Sequence, residues 1–436
     1  MQAVDLDAAR HLDSTSTLIG PENSFNLPKI AEGSPDPSQA YFLGHSLGLM
    51  PRQSGQRLND AISSWRERGI RGHFEGQSPW YRIDEEAIPG LKLLTGGTER
   101  EVVLMNSLSV NLHVMMQAFY RPEGDRKLVI MEGGAFPSDR YGVQTHLRVR
   151  DLSPQECIVE VSPRSGEHTL RTEDILAAIE NHGEKTALVF FGAVQFVSGQ
   201  VLDIEKITAA AQAKGCKVGF DLAHASGNIP LKLHDWGTDF AIGCGYKYLN
   251  GGAGDGGHAW IHERHVMNPE LVHLGAWWGN DPDTRFKMQH EFEPVLRASR
   301  FALSNPPLFS AAAALGGLDV FVESARNNGG SLDALWQRRE DLWQFLHATV
   351  SAIHEKMPTV FEIITPADPK EHGAMLSLFV QGKAVEIEKA LCDEGFIVDA
   401  RGDSVVRISV VPLWVSAEQI HHFGKRLHEI LAATAL

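Results

Sequence analysis

The chain has 436 residues, of which 43% are hydrophobic and 22% are charged, proportions typical of a soluble globular protein with room for two domains. Its 55 acidic and 40 basic residues give a net charge of −15, which argues against non-specific binding to nucleic acid or acidic membranes. The four cysteines and 20 histidines show no metal-ligand spacing, the start resembles no signal peptide, and no apolar run predicts a membrane span. We therefore expect a cytoplasmic protein without a metal site.

Strand and helix patterns alternate along the centre of the chain. Residues 1 to about 40 are polar and rich in Pro, Ser and Asp, and they predict an arm with little structure of its own. Beyond the arm, apolar runs predict strands at 101–105, 127–131, 157–161, 186–191, 217–222 and 239–245, and amphipathic stretches predict helices at 111–120, 172–183 and 203–215. Continuous apolar strands separated by helices predict a parallel sheet that is covered on both faces.

The pattern changes after residue 309. A long helix is predicted from Ser331, because apolar residues recur there with helical spacing. A final helix is expected to open with a capping box formed by Ser416 and Gln419. Between these two helices, strands are predicted at 361–365, 374–380, 396–400 and 405–411, with a helix at 385–392. These elements predict a small α+β domain at the C-terminus.

Three polar clusters follow predicted strands, at the end of the sheet where open parallel sheets bind ligands. The first, NSLSVN at 106–111, offers hydroxyls and helix N–H groups that suit a phosphate, although Ser109 alone is more readily interpreted as a helix cap. The second, at 219–228, carries Asp221 and His224. The third, GYKYLNGGAG at 245–254, contains Lys247.

Asp221 and Lys247 together indicate a site for pyridoxal phosphate. A carboxylate beneath the protonated pyridine nitrogen, with a lysine that forms an imine to the same cofactor, is how proteins hold this group. The alternatives are a turn aspartate and a surface lysine, and the apolar strand and glycine loop around Lys247 disfavour the second. Arg407 lies in mid-strand, where a charge needs a partner, either a substrate carboxylate or a salt bridge inside the small domain.

The chain resembles the kynureninase family, within the class V (fold type I) pyridoxal-phosphate enzymes, nearly from end to end. The matching stretches occur in the family's order and spacing: FLGHSLG (42–48), RGHFEGQSPW (71–80), NSLSVNLH (106–113), AFPSDRYG (135–142), FDLAHASGN (220–228), LHDWGTDF (233–240), YKYLNGGAG (246–254), WWGNDPDTRFKM (277–288), SNPP (304–307) and VRISVVPLW (406–414). The resemblance implies a seven-stranded, mainly parallel sheet with helices on both faces. Its implied domains are an N-terminal arm and helix joining the small domain (1–75), a large cofactor-binding domain (76–310) and a small α+β domain (311–436).

The resemblance also implies roles for individual residues. Lys247 is expected to form the Schiff base with pyridoxal 5'-phosphate, Asp221 to pair with the pyridine nitrogen, and Tyr246 to reach the phosphate and act as an acid. Arg407 is expected to bind the α-carboxylate of a small amino-acid substrate. The remaining cofactor residues are expected to be Leu108, Ser109, Phe136, Ser138, Asp139, His224, Trp277 and Asn305, and the substrate's aromatic part is expected to contact His73, Ser304 and Asn305. Trp277 is expected to come from the partner subunit of a homodimer.

The implied activity is hydrolysis of the Cβ–Cγ bond of an L-kynurenine to alanine and an anthranilate, within tryptophan catabolism and NAD biosynthesis. His45, Gly192, Ala276 and Asn280 stand where the family usually has Asn, Ser, Gly and His. The change at Gly192 removes a hydroxyl that often helps to hold the cofactor phosphate, whereas those at His45 and Asn280 leave kynurenine, its 3-hydroxy form and another ring-substituted kynurenine of a secondary pathway open as substrates. A cysteine-desulfurase-like lyase is a poorer alternative, because no cysteine falls on a predicted mobile loop. A non-enzymatic metabolite-binding protein is disfavoured by the intact Lys247.

Overall fold

The computed structural model describes residues 5–18, 24–28, 39–254 and 256–434. These residues form α-helices and β-strands that follow one another along the whole described chain. The helices are α1 (Leu6–Ser14), α2 (Arg52–Arg68), α3 (Ile88–Thr95), α4 (Leu108–Phe119), α5 (Pro137–Arg148), α6 (Pro154–Cys157), α7 (Thr172–His182), α8 (Ile204–Ala213), α9 (Glu263–Val266), α10 (Leu308–Asn327), α11 (Asp333–His354), α12 (Ala384–Asp393) and α13 (Ala417–Thr434). The strands are β1 (Phe25–Asn26), β2 (Ala40–Tyr41), β3 (Met50–Pro51), β4 (Val102–Leu104), β5 (Leu128–Glu132), β6 (Ile158–Val161), β7 (Thr186–Gly192), β8 (Lys217–Asp221), β9 (Phe240–Cys244), β10 (Gly257–Ile261), β11 (Glu362–Ile363), β12 (Met375–Phe379), β13 (Phe396–Ile397), β14 (Asp399–Arg401) and β15 (Val405–Ser409).

The chain divides into two compact units. The sheet unit comprises Gln53–Ala193 and Leu202–Val322, and the terminal unit comprises Met1–Arg52, Val194–Val201 and Glu323–Leu436. This division differs from the domain bounds expected from sequence, because residues 53–75 and 311–322 belong to the sheet unit and residues 194–201 to the terminal unit. Two side chains of α2 account for the difference: Ser54 Oγ donates to the Ala313 carbonyl at 2.8 Å, and Arg57 Nε donates to Asp319 Oδ2 at 2.6 Å.

The sheet unit is built on seven strands in the order β4-β10-β9-β8-β7-β5-β6. The run from β9 to β6 is parallel, and β10 is antiparallel to both of its neighbours. Every residue of β9 is buried, as a continuous apolar strand in a covered parallel sheet should be. The predicted parallel sheet is therefore confirmed. One boundary was wrong: Cys157 ends α6 instead of starting β6, because Pro154 opens a single helical turn there.

Helix α4 packs on the middle of this sheet. Its Phe119 ring stacks on Phe240 of β9 with the ring centroids 4.8 Å apart, and both side chains are buried.

Helix α10 is the one helix among the described residues that is long and apolar enough to cross a membrane, judged by length and composition alone. Because 61% of its most apolar window is buried inside the protein, α10 has the character of a core helix.

The terminal unit contains a four-stranded antiparallel sheet in the order β11-β12-β15-β14. The capping box at α13 is confirmed: the Ser416 N–H donates to Gln419 Oε1 at 3.0 Å, and the Gln419 N–H donates to Ser416 Oγ at 3.1 Å. The predicted strand at 396–400 is divided, since β13 pairs with β2 and β14 pairs with β15.

The arm was expected to have little structure of its own, but residues 6–14 form α1. Asp5 caps this helix by accepting a hydrogen bond from the Ala8 N–H at 2.8 Å. Asp13 at the other end accepts a hydrogen bond from the Ala417 N–H at 2.8 Å and pairs with Arg338, so α1 is bound to α13 and α11. The parts of the arm at 1–4, 19–23 and 29–38 lie outside the described residues.

Candidate active site

The predicted polar clusters meet at one edge of the seven-stranded sheet. β5, β7, β8 and β9 are parallel, and β4 has the same direction because β10 is antiparallel to both β4 and β9. The segments that follow the C-terminal ends of these strands therefore lie at the same edge. In an open α/β sheet this is where ligands bind.

Asp221 and Asp139 form a buried pair of carboxyl groups at this edge. Asp221 ends β8, its Oδ1 accepts a hydrogen bond from the Ala223 N–H at 2.6 Å, and its carboxylate accepts a hydrogen bond from the Asp139 carboxyl. Burial, followed by the charge of Asp221, raises the pKa of Asp139 well above its ordinary value. Burial also raises the pKa of Asp221, although the positive charge of Lys247 opposes this effect. We conclude that Asp139 carries the proton and Asp221 the negative charge.

Lys247 lies between two aromatic rings just beyond β9. Its Nζ is 5.8 Å from the ring centroid of Phe136 and 5.6 Å from that of Tyr246. Phe136 precedes α5 and is 44% exposed, so it presents an accessible flat face beside the amine. Burial, with the neighbouring Cys244 as the second cause, raises the pKa of Tyr246, so this phenol keeps its proton at neutral pH.

Two serine hydroxyls meet near the beginnings of α4 and α5. Ser109 Oγ lies 2.6 Å from Ser138 Oγ, and each serine is the second residue of its helix. Ser109 is not the N-cap, since that position belongs to Ser107. Hydroxyls beside two helix N-termini offer hydrogen bonds and positive dipole ends to an anion such as a phosphate.

The structure also locates the other predicted residues of the sheet unit. His224 is buried in the turn after β8, with its ring edge-to-face to Tyr248 at 6.4 Å. His73 packs edge-to-face on Trp80 at 5.1 Å. Ser304 and Asn305 lie on an exposed loop before α10, and Trp277, which is 54% exposed, contacts Phe286.

Arg407 lies in the terminal unit, where it forms the salt bridge that was the alternative to a substrate contact. Its Nε donates to Asp399 Oδ1 at 2.8 Å and its Nη2 to Asp399 Oδ2 at 2.5 Å. Sequence reasoning missed Asp399, which lies opposite Arg407 in the register of β14 and β15. The signal was present, because a buried arginine needs a carboxylate and residues 396–400 contain one. A guanidinium has five N–H donors, so this salt bridge does not exclude binding of a second carboxylate.

The residues at the sheet edge fit pyridoxal phosphate. Asp139 Oδ1 is buried and has no hydrogen-bond partner among the described residues. A buried pair of carboxyl groups with an unused acceptor suits a cationic N–H donor, which a pyridinium ring supplies. The same edge contains the primary amine of Lys247, the exposed face of Phe136 and the hydroxyls of Ser109 and Ser138.

One group of potential metal ligands, Glu101, His234 and His262, occurs among the described residues. Sequence spacing had not suggested it. Glu101 precedes β4, so the group lies at the sheet edge opposite Lys247. The Glu101 carboxylate already accepts hydrogen bonds from the Thr98 N–H, the Glu263 N–H and the His234 ring, each at 2.8–2.9 Å. These three donors stabilise the buried negative charge of Glu101.

Comparison with protein families and relatives agrees with this geometry. Residues 335–427 match the family described as Kynureninase C-terminal domain, and residues 149–269 match Aminotransferase class-V. The chain is 40% identical over 419 residues to Kynureninase of Flavobacterium johnsoniae, covering 96% of each chain. It is 41% identical to Kynureninase of Myxococcus xanthus, again with 96% of each chain covered. It is also 41% identical to Kynureninase of Nematostella vectensis, covering 98% of this chain and 94% of the relative.

Solved structures support the same fold. A mutant of C-DES with glycine covalently linked to its PLP cofactor superposes with a TM-score of 0.72 at 16% identity, covering 91% of this chain and all of that one. A cysteine desulfurase from Thermococcus onnurineus superposes with a TM-score of 0.71 at 18% identity, covering 91% of this chain and 95% of that one. At such identities the likeness concerns the fold, which is that of fold type I pyridoxal-phosphate enzymes.

Proposed function

The chain belongs to the kynureninase family, and on that premise we propose that it hydrolyses the Cβ–Cγ bond of L-kynurenine or of its 3-hydroxy form. The products are L-alanine and the corresponding anthranilate, and one water is consumed. The main support for the proposal is that Lys247, the Asp139–Asp221 pair and Phe136 lie together at one edge of the sheet. Bound pyridoxal phosphate withdraws electrons from the bonds at the substrate's α-carbon.

Lys247 is proposed to bind the cofactor covalently and then to move the α-proton. The Lys247 amine faces the Phe136 and Tyr246 rings, and Asp221 is close enough for their charges to interact. When substrate takes the place of the lysine, the released amine is available as a base next to the α-carbon. One side chain thus serves both for anchoring and for proton transfer.

Asp221 is proposed to keep the pyridine nitrogen protonated. The proton on Asp139 leaves a single negative charge on the pair, and that charge suits a single pyridinium. His224 would adjoin this nitrogen, Phe136 would stack on the ring, and Leu108, Ser109 and Ser138 would bind around the cofactor with Trp277 and Asn305. Each of these assignments follows the family resemblance.

Tyr246 is proposed to donate a proton to the β-carbon after the C–C bond breaks. Its raised pKa keeps the phenol protonated until a strongly basic carbanion forms beside it. Arg407 is proposed to bind the α-carboxylate, a task suited to a planar guanidinium. His73, Ser304 and Asn305 are proposed to contact the aromatic ring of the substrate.

A desulfurase-like activity is not favoured. Such chemistry needs an accessible thiolate, and Cys157, Cys216 and Cys244 are buried. Burial raises the pKa of the Cys244 thiol to about 11, and burial also raises the pKa of Cys392, which is only partly accessible. Burial likewise raises the pKa of the Cys157 and Cys216 thiols, so all four stay protonated at neutral pH.

The experiment for the proposed activity is a comparison of two substrates. The purified protein, loaded with pyridoxal phosphate, is incubated separately with L-kynurenine and 3-hydroxy-L-kynurenine. We expect equimolar alanine and anthranilate-type product from at least one of them. The anthranilate-type product is measured by its fluorescence and the alanine by amino-acid analysis. The ratio of the two kcat/KM values then identifies the preferred ring. Absence of product from both, with cofactor bound, would contradict the proposed activity.

We further propose a homodimer. Phe74, Trp277 and Phe286 form an exposed aromatic patch on the sheet unit, with Phe286 in ring contact with both others at 6.0 and 5.8 Å. These side chains are 60%, 54% and 52% exposed. An accessible cluster of three large aromatic rings is typical of a protein interface, and a second copy is the partner that the family resemblance implies.

A charge introduced into the aromatic patch should dissociate the homodimer into monomers. Phe286→Asp would bury a carboxylate without a partner, so we expect light scattering to give the mass of one 48.0 kDa chain instead of two. Val385→Asp, at a 57% exposed site on α12, is the matched control and should leave a dimer. A monomeric wild type, or a dimeric Phe286→Asp protein, would contradict this assignment.

A further inference from the structure

The salt bridge of Arg407 belongs to a larger buried network in the terminal unit. Arg407 is 1% exposed, and besides its two bonds to Asp399 its Nη1 donates to the Phe196 carbonyl at 2.6 Å. Bonds to the Nε side and to Nη1 fix both the position and the plane of the guanidinium. Burial alone would raise the pKa of Asp399, but hydrogen bonds from His45 and Arg407 outweigh burial and lower it well below the ordinary range.

His45 is the second side chain that holds Asp399. Its Nε2 lies 3.1 Å from Asp399 Oδ1, and its Nδ1 lies 2.8 Å from Ser409 Oγ. Because an ionised carboxylate only accepts hydrogen bonds, Nε2 must carry the proton that faces Asp399. Burial lowers the pKa of His45 to about 4, so the ring is neutral at pH 7 and its Nδ1 accepts from the Ser409 hydroxyl.

The backbone around His45 is attached directly to β15 and the segment after it. The Ser409 N–H donates to the Phe42 carbonyl at 2.9 Å, and the Trp414 indole N–H donates to the Tyr41 carbonyl at 2.9 Å. Gly44 allows this close approach, since a Cβ there would lie 2.4 Å from Val411 Cγ2. The turn that carries His45 therefore has little freedom to shift relative to the strand that carries Arg407.

We propose that His45 and Asp399 are positioning residues, which hold the Arg407 guanidinium in the single orientation that accepts the substrate's α-carboxylate. The assignment rests on the proposed function, in which Arg407 binds that carboxylate. The hydrogen bond from His45 has a second consequence, because the N–H donor partly offsets the negative charge of Asp399. Asp399 therefore orients the Arg407 guanidinium while neutralising less of its positive charge, which attracts the substrate's carboxylate.

The test separates recognition of the carboxylate from general stability. In His45→Ala we expect the KM for kynurenine to rise about tenfold or more, with a smaller change in kcat, because a misoriented guanidinium binds the carboxylate poorly. Binding of kynuramine, which is kynurenine without its α-carboxylate, should change less than about twofold when followed by the cofactor's absorption. His45→Gln, whose amide N–H can replace Nε2–H, should recover most of the lost affinity.

His372→Ala is the matched control. His372 is also a buried histidine of the terminal unit, bonded to a carboxylate through Nε2 and Glu340 Oε2 at 3.2 Å, and its bonded partners do not include Arg407. We expect this variant to lower Tm but to keep the wild-type KM. An unchanged KM in His45→Ala, or an equal loss of affinity for kynurenine and kynuramine, would overturn the positioning role. Failure of wild-type protein to cleave kynurenine would instead reject the proposed function, so the two failures are distinguishable.

Discussion

Replacing Lys247 with alanine is expected to lower kynurenine hydrolysis by about 10³-fold or more, because the variant loses both the covalent anchor and the base. The rings of Phe136 and Tyr246 and the Asp139–Asp221 pair remain in place, so the protein should still bind pyridoxal phosphate non-covalently. The measurement is kcat for alanine release, together with retention of the cofactor on gel filtration. A small primary amine added to Lys247→Ala should restore part of the rate.

Lys389→Ala is the matched control for this change. Lys389 is an exposed lysine on α12 whose amine pairs with Asp393 at 3.0 Å, and its loss should leave kcat and KM unchanged. Near-normal turnover of Lys247→Ala without added amine would show that this lysine is not the anchor and base. A folded Lys247→Ala protein with wild-type Tm is required for the comparison.

Replacing Arg407 with glutamine is expected to lower kcat/KM for kynurenine by about 100-fold or more. Each charge-assisted hydrogen bond to the α-carboxylate contributes about 1.5–3 kcal/mol, and about 1.4 kcal/mol corresponds to a factor of ten. The single variant also leaves the partly buried carboxylate of Asp399 with His45 and Arg401 but without Arg407, its bidentate partner, so we expect folding stability to fall as well. Thermal unfolding must therefore accompany the kinetics.

The double variant Arg407→Gln with Asp399→Asn removes both charges and distinguishes these two effects. We expect it to recover much of the lost Tm, because the carboxylate that lost its Arg407 partner is removed as well, yet to remain as impaired towards kynurenine as the single variant. A double variant with restored kcat/KM would mean that Arg407 serves only the stability of the terminal unit. Kynuramine, which has no α-carboxylate, should bind both variants as it binds the wild type.

Most of the sheet unit could be predicted from sequence, because buried parallel strands leave a local pattern. Runs such as 186–191 and 239–245 are continuously apolar, and the polar residues after them mark the ends of the strands. Asp221 and Lys247 lie in such positions, so their meeting at one edge follows from strand direction alone. The same logic does not reveal which carboxyl of the Asp139–Asp221 pair holds the proton, since that depends on burial and distance in the folded protein.

The terminal unit was less predictable, because its important contacts join distant parts of the chain. Asp399 faces Arg407 only through the register of β14 and β15, and His45 reaches Asp399 from 354 positions away in the sequence. The helix at 6–14 was missed because its few apolar side chains look isolated until they pack against α13. The cytoplasmic location and the individual site roles stay predictions.

The most direct measurement for the cofactor site is chemical trapping followed by peptide mapping. The protein loaded with pyridoxal phosphate is reduced with borohydride, which converts a Schiff base to a stable amine, and is then digested and analysed by mass spectrometry. We predict one pyridoxyl phosphate group per chain, attached to the peptide that contains Lys247 and localised to that residue by fragmentation. A group attached to another lysine, or no attached group in protein that cleaves kynurenine, would contradict the account.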